Sequence, residues 1–130
     1  MKKILTIIIE DPIVVSLNIY RTSHWTKQTK IRDDQYLQLH DSLKSIQSTS
    51  KHLNSKSNSK LPLIKKYPIR IEYILEKPRP YDCSNIITKY WEDALVQYNI
   101  IENDSPKFVE AITLISKASK EKKLTMRLYQ

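Results

Sequence analysis

The sequence predicts an α+β domain in the order β-α-β-α-β-β, a mixed or antiparallel sheet packed by two helices. Three observations carry that reading. Two stretches, Ile4–Glu10 and Pro68–Glu76, are apolar or alternate over strand lengths. Two others repeat apolar residues every three or four positions, the period of a helix with one buried face. The last third offers two β-rich segments separated by a polar turn. A chain of 130 residues, 40% of them hydrophobic, suits one domain over 1–130 with its own core.

The elements follow in order. Ile4 to Glu10 reads as the first strand. The run after Met1-Lys2-Lys3 is too short for a signal peptide and stops at Glu10-Asp11-Pro12. Pro12 to Lys30 is polar and aromatic, and reads as irregular. A helix is expected from about Ile31 to Lys51, its stripe formed by Tyr36, Leu39, Leu43, Ile46 and Leu53. The following stretch is almost all Ser, Lys and Asn and reads as a flexible surface loop over about 48–62. In the second strand, Ile69, Ile71, Tyr73 and Leu75 alternate with Arg70, Glu72 and Glu76. Pro78 and Pro80 stop it. A second helix is expected to start at Asp82 or Ser84 as N-cap and run to about Tyr98. Its apolar stripe is Ile87, Trp91, Leu95 and Tyr98. Lys107–Lys117 and Lys122–Tyr129 then read as a hairpin. The chain has no Gly, so left-handed backbone falls to the next most tolerant residues, with Asn54, Asn58, Asn99 and Asn103 as candidates and Asn99 as the helix C-cap.

Lys and Arg total 22 against 14 Asp and Glu, a net charge of +8. A polyanion such as DNA or RNA is the natural partner of such a balance; biased composition in a Lys-, Ile- and Asn-rich chain is the competing source. A lone cysteine, Cys83, excludes an internal disulfide and fits a reducing cytosol. One Cys and three scattered His cannot assemble a zinc site. No run is long enough to span a membrane.

Against this basic background, Asp82-Cys83-Ser84-Asn85, Lys89, Asp93 and Glu102-Asn103-Asp104-Ser105 place acidic and amide groups close in sequence. On a continuous helix Asn85 and Lys89 lie one turn apart, beside Glu92 and Asp93. If the loop after the helix doubles back, Asp104 meets Asp82. Hard divalent cations need only one or two such carboxylates, completed by water and substrate phosphate. Each residue also has a plainer reading. Asp82 suits an N-cap, Glu92 and Asp93 a solvated face, Lys89–Asp93 an exposed pair, and Asn103–Pro106 a turn. Cys83 reads as a small packed residue rather than a nucleophile. His24 and Trp25 fit either DNA contact by hydrogen bond and stacking or a packed loop. Lys65, Lys66, Lys77 and Arg79 fit either phosphate contacts or a solvated surface.

The segment from Tyr81 to Val109 resembles the RusA family of Holliday-junction resolvases, found mostly in phages and prophages. The family pattern is Asp-x-Asp-Asn, a lysine one turn on, Asp-Ala-Leu, a Gly-Ile pair and Asp-Asp-Ser. This chain offers Asp82-Cys83-Ser84-Asn85, Lys89, Asp93-Ala94-Leu95, Asn99-Ile100-Ile101 and Glu102-Asn103-Asp104-Ser105. It departs at Ser84 and Asn103, where the family carries Asp, and in one extra residue before Lys89. A looser likeness, with Asn18, Tyr20 and His24-Trp25 before a helix, covers the N-terminal part.

The resemblance implies an Mg²⁺-dependent endonuclease, with Mn²⁺ able to substitute, that cuts branched DNA such as four-way junctions and leaves 5′-phosphates. It implies Asp82 and Asp104 as metal ligands, Asp93 as a further catalytic carboxylate and Lys89 as the electrostatic stabiliser. Ser84 and Asn85 are ancillary. Asn18, Tyr20, Arg21, His24, Lys65, Lys66, Lys77 and Arg79 are the expected DNA contacts. A homodimer acting in a bacterial host cytoplasm, with no organic cofactor and no membrane, completes the expectation, and the two helix stripes are its candidate interfaces. The competing reading is a DNA-binding protein on the same fold with a weakened metal site. An RNA-binding domain finds no supporting aromatic motif.

Overall fold

Period-two strands and period-3.6 helices assemble here into two layers. The computed structural model describes residues 2–49 and 63–130. Four strands, β1 (Lys3–Glu10), β2 (Ile69–Lys77), β3 (Val109–Ala118) and β4 (Lys123–Tyr129), form one mixed sheet in the order β1-β4-β2-β3. β4 runs antiparallel to both β1 and β2, whereas β3 runs parallel to β2. The α+β class and mixed sheet therefore follow the sequence. The hairpin does not: β2 lies between β3 and β4. Local pattern shows that two segments are strands but not that they pair, and here each finds a longer apolar ladder along β2.

Alternation decides which face is buried. Ile69, Ile71, Tyr73 and Leu75 of β2, Ile7 and Ile9 of β1, and Leu124, Met126 and Leu128 of β4 share one core with residues from the helices. The opposite face carries ion pairs, Arg70 with Glu110 at 3.0 Å and Arg127 with Glu72 at 3.3 Å.

Among the described residues three α-helices, not two, accompany the sheet: α1 (Leu17–Thr22), α2 (Trp25–Thr49) and α3 (Lys89–Gln97). The stretch 12–30 expected to be irregular holds all of α1 and the start of α2. Ser16 caps α1 by accepting from the Ile19 N–H at 3.3 Å, and β-branched residues before it hide the helical period. Leu39 and Leu43 of the expected stripe are buried. Leu53, Asn54, Asn58, Lys51 and the rest of the expected loop from residue 50 to 62 lie outside the described residues.

The second helix begins later than expected. Cys83–Asn85 is a single 3-10 turn, and α3 starts at Lys89 after Thr88. Neither Asp82 nor Thr88 makes a side-chain cap bond. The extended Ile86 instead forms a bridge with Ser16, which breaks the helix between Asn85 and Lys89. Asn85 and Lys89 are thus not neighbours on one helix face.

Trp91, Ala94 and Leu95 point into the core, with Trp91 only 1% exposed. Deleting such a side chain costs about 3–5 kcal/mol, so α3 is fastened firmly. Trp91 and Leu95 of one stripe that suggested a dimer interface, and Leu39 and Leu43 of the other, belong to this chain's own core. Asn99 adopts the expected left-handed backbone, φ 59°, and closes α3. Asn103 does not, and Asp11, φ 47°, is the other non-glycine residue there among those described.

Candidate functional site

α3 presents one face to the core, and the residues just off that face form the candidate site. Glu92 is the first of them. Tyr73, buried in the middle of β2, donates its hydroxyl hydrogen bond to Glu92 Oε2 at 2.7 Å. Burial lifts the Tyr73 phenol well above its ordinary range, and the adjacent Glu92 charge lifts it further. Tyr73 therefore stays a donor at any working pH. Glu92 is not a solvated helix residue. Burial raises its pKa, hydrogen bonds from Tyr73 and Thr88 oppose the rise, and the charges of Asp104 and Asp93 add to it.

Asp93 follows on the same helix. Its carboxyl also titrates above the ordinary range, first through burial; Lys89 pulls the other way, the charge of Asp104 raises it again and Arg32 lowers it. Lys89 Nζ stands 3.9 Å from Asp93 Oδ2, an exposed i,i+4 pair worth about 0.3–0.5 kcal/mol. Arg32 and Tyr36 face this cluster from α2, and burial followed by the Asp93 charge raises the Tyr36 pKa.

Asp104 arrives from the loop after α3. The turn expected at Asn103–Pro106 is present and built on a side chain: Asn103 Oδ1 accepts from the N–H groups of Asp104 at 2.7 Å and Ser105 at 3.0 Å. Where the resembled family carries a carboxylate, Asn103 thus fixes the turn that presents Asp104. Tyr67 secures the same loop, its hydroxyl accepting from the Glu102 N–H at 2.9 Å while donating to the Ile64 carbonyl.

The loop brings the charge of Asp104 to bear on Asp93 and Glu92 of α3. Asp82 is exposed at the head of the 3-10 turn, and the Cys83 thiol donates to the Leu114 carbonyl of β3 at 3.4 Å. Ser84 is exposed and Asn85 half-buried on the same turn. Among the described residues no three His, Cys, Asp or Glu side chains are grouped to hold a metal. Two carboxylates whose charges bear on one another repel unless a proton or a cation lies between them, and a hard cation needs few protein oxygens.

The other expected contacts divide. Asn18 and Arg21 are exposed on α1, and His24, Lys65, Lys66 and Arg79 are exposed elsewhere. Lys77 instead lies 3.7 Å above the Tyr81 ring, a cation–π contact. Tyr20 is engaged internally: its hydroxyl and that of Tyr90 are 2.5 Å apart. Burial, with this bond, pushes the Tyr90 phenol up to about 12. Sequence reasoning missed Tyr73 as a site residue because its place in the alternation explained it fully. The buried Gln35 was also missed; its amide donates to the Ile13 carbonyl at 2.8 Å, while Gln38 accepts the Ile13 N–H and so pins the segment after β1 to α2.

No protein-family model matches the chain, and no match is found among curated proteins. Among the described residues no helix is long and apolar enough to cross a membrane.

Proposed function

We propose that this chain is a divalent-metal-dependent endonuclease acting on branched DNA, as its resemblance to the RusA resolvases implies. The observation that carries the proposal is the approach of Asp104 to Asp93 from a separate loop, beside Lys89, in a chain of net charge +8. Such a pair costs electrostatic energy that a cation recovers.

Each residue has a task that follows from its place. Asp93 and Asp104 would hold Mg²⁺ or Mn²⁺, which supplies Lewis-acid chemistry for phosphodiester hydrolysis when bound. Lys89 is 73% exposed, so its ammonium is free to meet a phosphate as well as Asp93. Glu92, held by Tyr73, would carry negative charge behind the pair and favour cation capture. Asp82, Ser84 and Asn85 line the neighbouring turn and would face substrate rather than form the ion's principal cage. Two coupled cuts across a four-way junction call for a homodimer.

A second reading, junction binding without cleavage, is favoured by Ser84 in place of a carboxylate and by the absence of a three-ligand group among the described residues. Cleavage of a synthetic four-way junction, with and without Mg²⁺ or Mn²⁺, separates the two. The expected result is metal-dependent cutting that Asp104→Asn abolishes while junction binding survives. Binding without any cutting, under either ion, would establish the second reading.

A further inference from the structure

Trp25 is the most exposed large hydrophobic side chain described, at 68%. Its ring does not pack into the fold. It lies tilted at 37° against His24, with centroids 5.5 Å apart. The packed-loop alternative for these two residues is thereby removed.

The backbone beneath the pair is held in place. His24 Nδ1 accepts the Thr26 N–H at 3.3 Å and lies 2.9 Å from the Thr26 hydroxyl, so the imidazole caps the first turn of α2. The Gln28 amide donates to the carbonyls of Tyr20 and Ser23, at 2.9 and 3.1 Å, and locks the elbow between α1 and α2. α1 is tied in turn to α3 and its approach, through the Tyr20–Tyr90 hydroxyl pair and the Ser16–Ile86 bridge. Tyr90 directly follows Lys89 and lies three residues before Asp93. An exposed aromatic surface is therefore mounted rigidly relative to the carboxylate pair.

Along the segment that forms the elbow, charge has one sign. From Pro12 to Arg32 no Asp or Glu occurs. Arg21 and Lys27, one on each side of the elbow, are exposed and form no ion pair among the described residues. A flat apolar ring on a carboxylate-free cationic elbow suits a partner that is planar at one point and anionic beside it.

We propose that Trp25 is a stacking platform for an unpaired nucleobase of the DNA substrate, with Arg21 and Lys27 holding the flanking phosphates. The proposal rests on the nucleic-acid reading of the site and specifies what that site recognises: strand openings, as at a branch point, rather than continuous duplex. Stacking is insensitive to base identity, because every base has a π-face.

The chain supplies its own probe. Trp91 is 1% exposed and Trp25 68%, so quenching of the exposed emission reports on Trp25. The titrants are a short oligothymidylate, an abasic strand with the same number of phosphates, and a blunt duplex. Oligothymidylate and a four-way junction are expected to quench, and the abasic strand and duplex are not. Trp25→Ala should remove the quench and weaken oligothymidylate binding roughly 5- to 150-fold, the span of a lost base–aromatic stack. Trp25→Phe should restore most of the affinity. Because the side chain lies outside the core, both variants should melt like the parent.

Equal affinity for oligothymidylate and abasic strand, or undiminished binding by Trp25→Ala, would overturn the platform while leaving metal-dependent cleavage intact. Base-dependent quenching without junction cleavage would instead keep the platform and sink the nuclease reading.

Discussion

Changing Tyr73 to Phe tests whether Glu92 is a built component of the site. The substitution keeps the ring in the core and deletes only the hydroxyl that donates to Glu92 at 2.7 Å. Above the raised Glu92 pKa the acceptor is ionised, and a hydrogen bond to a charged group contributes about 1.5–3 kcal/mol. An unfolding entropy of about 2.1 cal/mol/K per residue gives roughly 0.27 kcal/mol/K for this chain, so Tm should fall by about 5–11 °C. The loss must depend on pH. The Tyr73 bond lowers the Glu92 pKa against the burial that raises it. Once acid protonates Glu92, the bond links neutral groups and is worth only about 0.5–1.5 kcal/mol. The penalty should therefore shrink as pH falls through the raised Glu92 pKa. Thermal denaturation of the parent, Tyr73→Phe, Glu92→Ala and the double variant, at pH 8 and pH 4, completes a double-mutant cycle. Coupling above about 1 kcal/mol at pH 8 that diminishes at pH 4 is expected. Additive single effects, or a Tyr73→Phe loss that does not vary with pH, would show that Glu92 is not anchored in this way.

Two further outcomes follow from the same structure. Glu92 and Asp93 both have folded-state pKa values above their ordinary ones, so the folded protein binds protons that the unfolded chain has released. Their contribution is complete below about pH 4 and is lost as pH rises through the raised values. Without metal, Asp93→Asn should flatten that decline and raise Tm at neutral pH. It should also abolish the stabilisation that added Mg²⁺ gives the parent by mass action. An unaltered Mg²⁺ effect in this variant would move the ion away from Asp93. Asp11, exposed with φ 47°, should tolerate Gly, whereas Asp11→Ala should destabilise by about 1–2 kcal/mol in denaturant titration; equal effects of the two changes would refute backbone strain as the cause.

What the sequence reveals depends on how local the cause is. β1 and β2 were legible because alternation is a local signal, and so was the left-handed Asn99, because a chain without glycine leaves few residues for that backbone. The break before α3 was not legible. It is made by a bridge from Ile86 to Ser16, a partner 70 residues away, and nothing near Asp82 announces it. Pairing of β3 with β2 instead of β4 is equally non-local. The site divides along the same line. Asp104 and Asp93 were visible as residue types, and the Asn103 turn as a turn. Their meeting was not, because it depends on where α3 begins and how the loop after Ile101 is fastened by Tyr67.

That late start of α3 also bears on the chemistry. A continuous helix from Asp82 would have placed Asn85 and Lys89 on one face. Ending the 3-10 turn at Asn85 and restarting at Lys89 leaves Asp82 on the turn docked against β3 and gives α3 its own register, set by Trp91, Ala94 and Leu95 in the core. Burying those three residues sends Glu92 to Tyr73 and Asp93 to Asp104. The carboxylate pair is thus a consequence of core packing, and the large apolar side chain of Trp91 resists any rotation of the helix that would separate it. The two carboxylates converge because one of them comes from the helix that the core orients.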